Sequence, residues 1–119
     1  MKNILVIEDD LDIGNILQMI LTKNGYAVTI LDNAAGIATT IKNNIFDLVC
    51  MDLLLNGRTS LEICRDIKNT PASAHIPVMM MSAHSDAKGS CLQAGAHDFI
   101  AKPFDLNDLL KKINKILFK

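Results

Sequence analysis

The chain has 119 residues, half of them hydrophobic, with a formal net charge of -1, which suits one domain able to bury a core and offers neither a basic field for nucleic acid nor a strongly acidic tail. Its three cysteines, Cys50, Cys64 and Cys91, are odd in number, far apart and set in apolar patterns, so they read as reduced core thiols rather than a disulfide framework or a zinc site. No apolar stretch reaches the ~20 residues of a spanning helix, and the run after Met1-Lys2-Asn3 is too short for a signal peptide, so a cytoplasmic protein that does not engage a membrane is expected.

The first apolar run, Ile4-Leu5-Val6-Ile7, is short and continuous, as in a strand covered on both faces, and it ends in Glu8-Asp9. Asp10 caps a helix carrying Leu11, Ile16, Leu17, Ile20 and Leu21, which Asn24-Gly25 closes. Val28-Thr29-Ile30-Leu31 is a β-branched strand, and Asp32 or Asn33 is expected to open a second helix with Ala34, Ile37, Ala38 and Ile41 on one face. Leu48-Val49-Cys50-Met51 then runs into Asp52. A loop with an Asn56-Gly57 turn signal follows, and Ser60 starts a third helix through Ile67. Pro71 and Pro77 bracket a connection that no helix could cross intact. Val78-Met79-Met80-Met81 ends in Ser82, a helix is expected from about Asp86 to Ala94 before Gly95, and Phe99-Ile100-Ala101 ends in Lys102. The last helix starts near Asp105 and carries Leu106, Leu109, Leu110, Ile113, Ile116 and Leu117 as a stripe. Strands alternating with helices, short loops and right-handed crossovers give an α/β, doubly wound, five-stranded parallel sheet of order 2-1-3-4-5 in a single domain, residues 1–119.

In such a sheet the carboxyl ends of the strands form the site. Glu8, Asp9 and Asp52 bring three negative charges there and Lys102 one positive, leaving about two to balance, and only oxygen ligands are offered. Unscreened carboxylates would raise one another's pKa, so a hard divalent cation with retained waters, Mg2+ or Mn2+, is expected. Capping of the first helix is the competing use for acids at this point, but Asp10 alone satisfies it. Asp52 beside a cation is either a plain ligand or a nucleophile towards phosphorus. A ligand-only site needs neither Ser82 nor Lys102, whereas a phosphoryl group on Asp52 needs a hydroxyl donor and a fixed positive charge. An aspartate-nucleophile phosphohydrolase would want a second acid two residues after the nucleophile, where this chain has Leu54.

These residues resemble the receiver domain of two-component response regulators over essentially the whole chain. The segments that carry the resemblance are Ile4 to Asp10, Asp52, Pro77-Val78-Met79-Met80-Met81-Ser82-Ala83, and Gly95-Ala96-His97-Asp98-Phe99-Ile100-Ala101-Lys102-Pro103-Phe104. The resemblance implies a flavodoxin-like (βα)5 fold with Asp52 as phosphoacceptor, Ser82 as switch hydroxyl and Lys102 as charge partner of the phosphoryl group. It implies Mg2+ held by Glu8, Asp9, Asp52 and the Leu54 carbonyl, a cis Lys102-Pro103 bond, and Phe99 as the aromatic that turns inward when the switch hydroxyl moves. The donor would be a histidine kinase or histidine phosphotransfer protein, and the activity phosphoryl acceptance with slow self-dephosphorylation rather than turnover. Leu54 and His84 would flank the path of water to the phosphorus, tuning the lifetime. A downstream protein would read the face around Asp86–Ala94, Phe99 and Asp105–Phe118, with no direct nucleic acid binding by this domain. The chain departs from the family pattern at Asn56 and Ser60, where a proline and a glycine are usual, and at Thr59. The helix after Ser82 lacks the charged pattern by which many receivers of transcription factors dimerise. His75, His84 and His97 sit at no metal-like spacing and read as surface residues, and the six methionines as core filler.

Overall fold

In the computed structural model, which describes residues 1–118, Ile4, Leu5, Val6, Ile7, Leu48, Val49, Met51, Val78, Met79, Met80 and Met81 have no exposed surface. Runs this completely covered require helices on both sides of the sheet. The elements in chain order are β1 (Asn3–Ile7), α1 (Leu11–Lys23), β2 (Ala27–Leu31), α2 (Ile37–Asn43), β3 (Leu48–Asp52), the short β4 (Leu54–Leu55) and β5 (Arg58–Thr59), α3 (Leu61–Asn69), β6 (Val78–Ser82), α4 (Lys88–Gln93), β7 (Asp98–Ala101) and α5 (Leu106–Leu117). The main sheet is parallel throughout with order β2-β1-β3-β6-β7. Since β4 and β5 pair only with each other, this is the expected order 2-1-3-4-5 with two strands of a small hairpin added to the count.

Alternation along each strand sorts its side chains between two cores. Leu5, Ile7, Val49, Met51, Val78, Met80 and Phe99 pack with Ile37, Ile41, Cys64, Ile67 and Cys91, from α2, α3 and α4. Ile4, Val6, Leu48, Cys50, Met79, Met81 and Ile100 face the other way, onto Leu17 and Leu21 of α1 and Leu109 and Ile113 of α5. The three consecutive methionines thus serve both faces as unbranched filler. All three cysteines are free and buried, and burial pushes the Cys50 thiol up to about 12, so it stays protonated. The three histidines are exposed. Among the described residues no helix is long and apolar enough to cross a membrane.

Several local expectations are corrected. The second helix begins at Ile37, not at Asp32 or Asn33, because the Asn33 side chain instead accepts the Ala35 N–H in a local turn, 2.9 Å, and leaves Ala34 exposed before the helix. The segment expected as one helix from Asp86 to Ala94 opens with a tighter 3-10 turn at Ser85–Ala87. On α1 the core contacts come from Leu17 and Leu21, while Leu11 and Ile16 remain exposed. Residues 53–59 form a hairpin rather than an open loop: Asn56 and Gly57 both have positive φ, 53° and 80°, as a two-residue type I′ turn demands.

Asp10 does cap α1, its side chain accepting the N–H groups of Asp12 and Ile13 at 2.9 and 3.2 Å. Asp105 caps α5 in the same manner. Replacing Asp10→Ala should therefore lower unfolding stability by about 1 kcal/mol, the usual worth of such a cap. Urea denaturation measures this, and an unchanged midpoint would show that α1 does not depend on it.

Candidate functional site

Register alone gathers the polar strand ends. Ile7 pairs with Met51, Asp52 with Met81, and Ser82 with Ala101, so Glu8, Asp52, Ser82 and Lys102 each end or follow one of four adjacent strands at the same edge. Extending an apolar strand into a polar residue buries that residue: Glu8 is 1% exposed, Ser82 2% and Asp52 8%. The Lys102 ammonium lies 2.5 Å from Glu8 Oε1 and 3.3 Å from Asp52 Oδ2, bridging the outer strand β7 to the two acids across β6. Lys102 precedes a cis peptide bond to Pro103.

One lysine does not balance these acids. Glu8 Oε2 is buried and has no hydrogen-bond partner among the described residues, an arrangement that ordinarily costs about 1–3 kcal/mol, and more for a charged group. Burial, reinforced by Asp52 and opposed by Lys102, pushes the Glu8 carboxyl up to about 7. Burial acts to lower the Lys102 pKa, but the bond to Glu8 and the charges of Asp52 and Glu8 outweigh it and raise it. One carboxylate oxygen from each of Glu8, Asp9 and Asp52 lies within 4.8 Å of the others. An orphaned buried oxygen and three converging hard donors fit a small divalent cation that keeps part of its water shell.

The expected residues fall into place around this centre with some differences. Asp9 is exposed and its Oδ2 accepts the Asn56 N–H at 2.9 Å. Leu54 opens the hairpin two residues after Asp52, with its side chain 41% exposed. The Ser82 hydroxyl accepts the His84 N–H at 2.9 Å, a local turn that leaves its proton available. Phe99 is buried, 6% exposed, against the core shared with α4 while that local bond is intact.

Ser60 stands at the N-terminal cap position of α3 but makes no side-chain cap bond. Its hydroxyl instead donates to the Asp52 carbonyl at 2.7 Å, and its N–H to the Leu53 carbonyl at 2.7 Å, with the residue fully buried. Sequence spacing holds no signal for this contact, because the hairpin between the two residues must close before they meet.

A family model described as the response regulator receiver domain matches residues 4–114. The chain is similar to the response regulator ArlR of Staphylococcus haemolyticus, 35% identical over 120 residues covering 98% of this chain and 53% of that protein. It thus spans about half the length of the curated relatives it matches. Among solved structures it superposes on a putative response regulator from Chloroflexus aurantiacus with a TM-score of 0.92 at 27% identity, covering 99% of this chain and 98% of that one. It superposes on the response regulator TrrA of Thermotoga maritima, solved in complex with Mg2+ and BeF, with a TM-score of 0.88 at 25% identity, covering 98% and 100%. Extent of match, identity and the four strand ends agree: the chain belongs to the response regulator receiver domain family of two-component systems.

Proposed function

We propose that this domain accepts a phosphoryl group on Asp52 from a phosphohistidine of a histidine kinase or histidine phosphotransfer protein, and works as a switch rather than as a turnover enzyme. The observation that carries the reading is the buried pair Glu8 and Asp52 sharing Lys102, with Glu8 Oε2 unpartnered. Glu8, Asp9, Asp52 and the Leu54 carbonyl would hold Mg2+, or Mn2+, which when bound neutralises charge on the phosphoryl oxygens. That the Thermotoga relative was solved in complex with Mg2+ and BeF supports this reading.

Asp52 oxygen attacks phosphorus as the P–N bond to the donor imidazole breaks. The electron pair stays on that imidazole. The carboxylate needs no base, since it is the attacking anion, so the protein's work is orientation and charge. Lys102, already 3.3 Å from Asp52 Oδ2, supplies fixed positive charge. Ser82 lies two residues before His84, whose N–H it accepts, and has a hydroxyl proton free to turn towards a phosphoryl oxygen. Drawing Ser82 in would strain the turn at His84 and bias the 3-10 segment and α4, whose face with Phe99 and the helix at Asp105–Phe118 would be read by a downstream protein in the cytoplasm. Neither nucleic acid nor a membrane is a proposed partner of the domain.

Intact-mass measurement after treatment with acetyl phosphate and Mg2+ tests the reading. One phosphoryl adduct is expected for the wild type, and none for Asp52→Asn or for wild type in chelator; a labelled Asp52→Asn protein would overturn it. The lifetime of the adduct depends on water reaching phosphorus in line with the bond to Asp52. Leu54, half-exposed and apolar, cannot orient that water, whereas His84, exposed beside Ser82, either blocks the path or holds a water on a ring nitrogen. Leu54→Asn should speed decay of the phosphorylated protein by about tenfold, ~1.4 kcal/mol of barrier. Decay is followed in excess Mg2+ after removal of donor, and an unchanged or slower rate would show that access past Leu54 does not set it.

A further inference from the structure

Two of the three positions where the chain departs from the family pattern, Asn56 and Ser60, are also those from which the β4–β5 hairpin is tied to the site. Asn56 donates its N–H to Asp9 Oδ2 at 2.9 Å. A proline there would have no N–H to give and could not adopt the φ of 53° that the turn uses. Ser60 donates its hydroxyl to the Asp52 carbonyl, a bond that glycine cannot make, and its N–H to the next carbonyl, that of Leu53, both at 2.7 Å. Leu53 in turn donates to the Met81 carbonyl at 2.8 Å, so the peptide following Asp52 is held both by β6 and by the head of α3. The pairing of β3 with β1 ends at Met51, so this hold begins where the ladder on that side stops.

We infer that Ser60 and the Asn56 N–H are positioning groups for the cation site: they fix the backbone on either side of Leu53 and the Asp9 carboxylate before any cation arrives. This rests on the reading of the strand edge as a Mg2+ site. With the carbonyls of Asp52 and Leu53 both bonded to one buried residue, the peptide leading to the Leu54 carbonyl has little freedom to turn. The N–H on Asp9 Oδ2 orients that carboxylate and leaves its other oxygen for a ligand. Hydrogen bonds that orient metal-binding groups are commonly worth 10–100-fold in affinity. Ser60 is fully buried, so its hydroxyl has no solvent partner to turn to.

The test compares Mg2+ affinity by calorimetry, and thermal midpoint, in wild type, Ser60→Ala, Asn56→Pro and Ile67→Val. Ile67 is buried in α3 and outside the site, so its truncation reports the effect of destabilisation alone. Ser60→Ala and Asn56→Pro, which removes the N–H, should each weaken Mg2+ binding by about tenfold, whereas Ile67→Val should stay within about twofold of wild type. Wild-type affinity in Ser60→Ala, or an equal loss in Ile67→Val, would overturn the inference and leave Ser60 as a structural residue. If Ser60→Ala does not fold, Ser60→Cys, with a similar volume and a weaker donor, carries the same comparison. A wild-type protein that binds no Mg2+ would overturn the metal-site reading itself, and this inference with it.

Discussion

Everything at the carboxyl edge of the sheet depends on Lys102 holding Glu8 and Asp52 together under cover. Two acids and one ammonium in a nearly dry position leave an uncompensated negative charge, and the protein sustains it only because four strands of apolar residues fix the positions of the groups. Burial, reinforced by Asp52, raises the Glu8 pKa, and an unbalanced buried charge costs stability. A site that carries an unbalanced buried charge is stabilised by whatever offsets it, and on the proposed function that is a cation and then a phosphoryl group.

The sheet supplies the rigidity that this requires. Because all five strands are parallel, each connection crosses over through a helix and every strand delivers its last residue to the same edge. The two cores on either side differ in what they hold still. Leu17, Leu21, Leu109 and Ile113 anchor α1 and α5 beneath Glu8 and Lys102, whereas α4 is six residues long and buries only Cys91. A short helix with a single buried residue, preceded by a 3-10 turn at Ser85–Ala87, has little packing to hold it in place.

The apolar runs made the sheet legible in the sequence, and the polar residue ending each run made the site legible, since an acid, a hydroxyl and a lysine at strand ends have few other uses. Asp10 and Asp105 were readable as caps because a cap acts within three residues. What could not be read were contacts made across a closed loop. Ser60 looks like a helix cap by its position, and only closure of the hairpin at Asn56-Gly57 turns its hydroxyl onto Asp52 instead. Asn33 resembled a helix start for the same reason that it delays one, since its side chain satisfies a backbone N–H in a turn just as well. The burial of Phe99 in the core that also holds Cys91 is a tertiary contact, which no periodicity encodes.

The most direct test of the charge imbalance is the pH dependence of unfolding stability in wild type and Glu8→Gln, measured in chelator and again in excess Mg2+. The Glu8 carboxyl lies at about 7 in the fold against an ordinary 4.5. Below the ordinary value it is protonated in both states and adds no cost. Between the two values the unfolded chain gives up the proton while the native state keeps it, so stability falls with rising pH until the folded value is passed and the native state also carries the anion. In chelator the wild type should therefore lose stability relative to Glu8→Gln between about pH 4.5 and 7, and above that window Mg2+ should restore the wild type more than the variant. A difference between the two proteins that does not change with pH, or a wild type unmoved by Mg2+ at pH 8, would contradict the account.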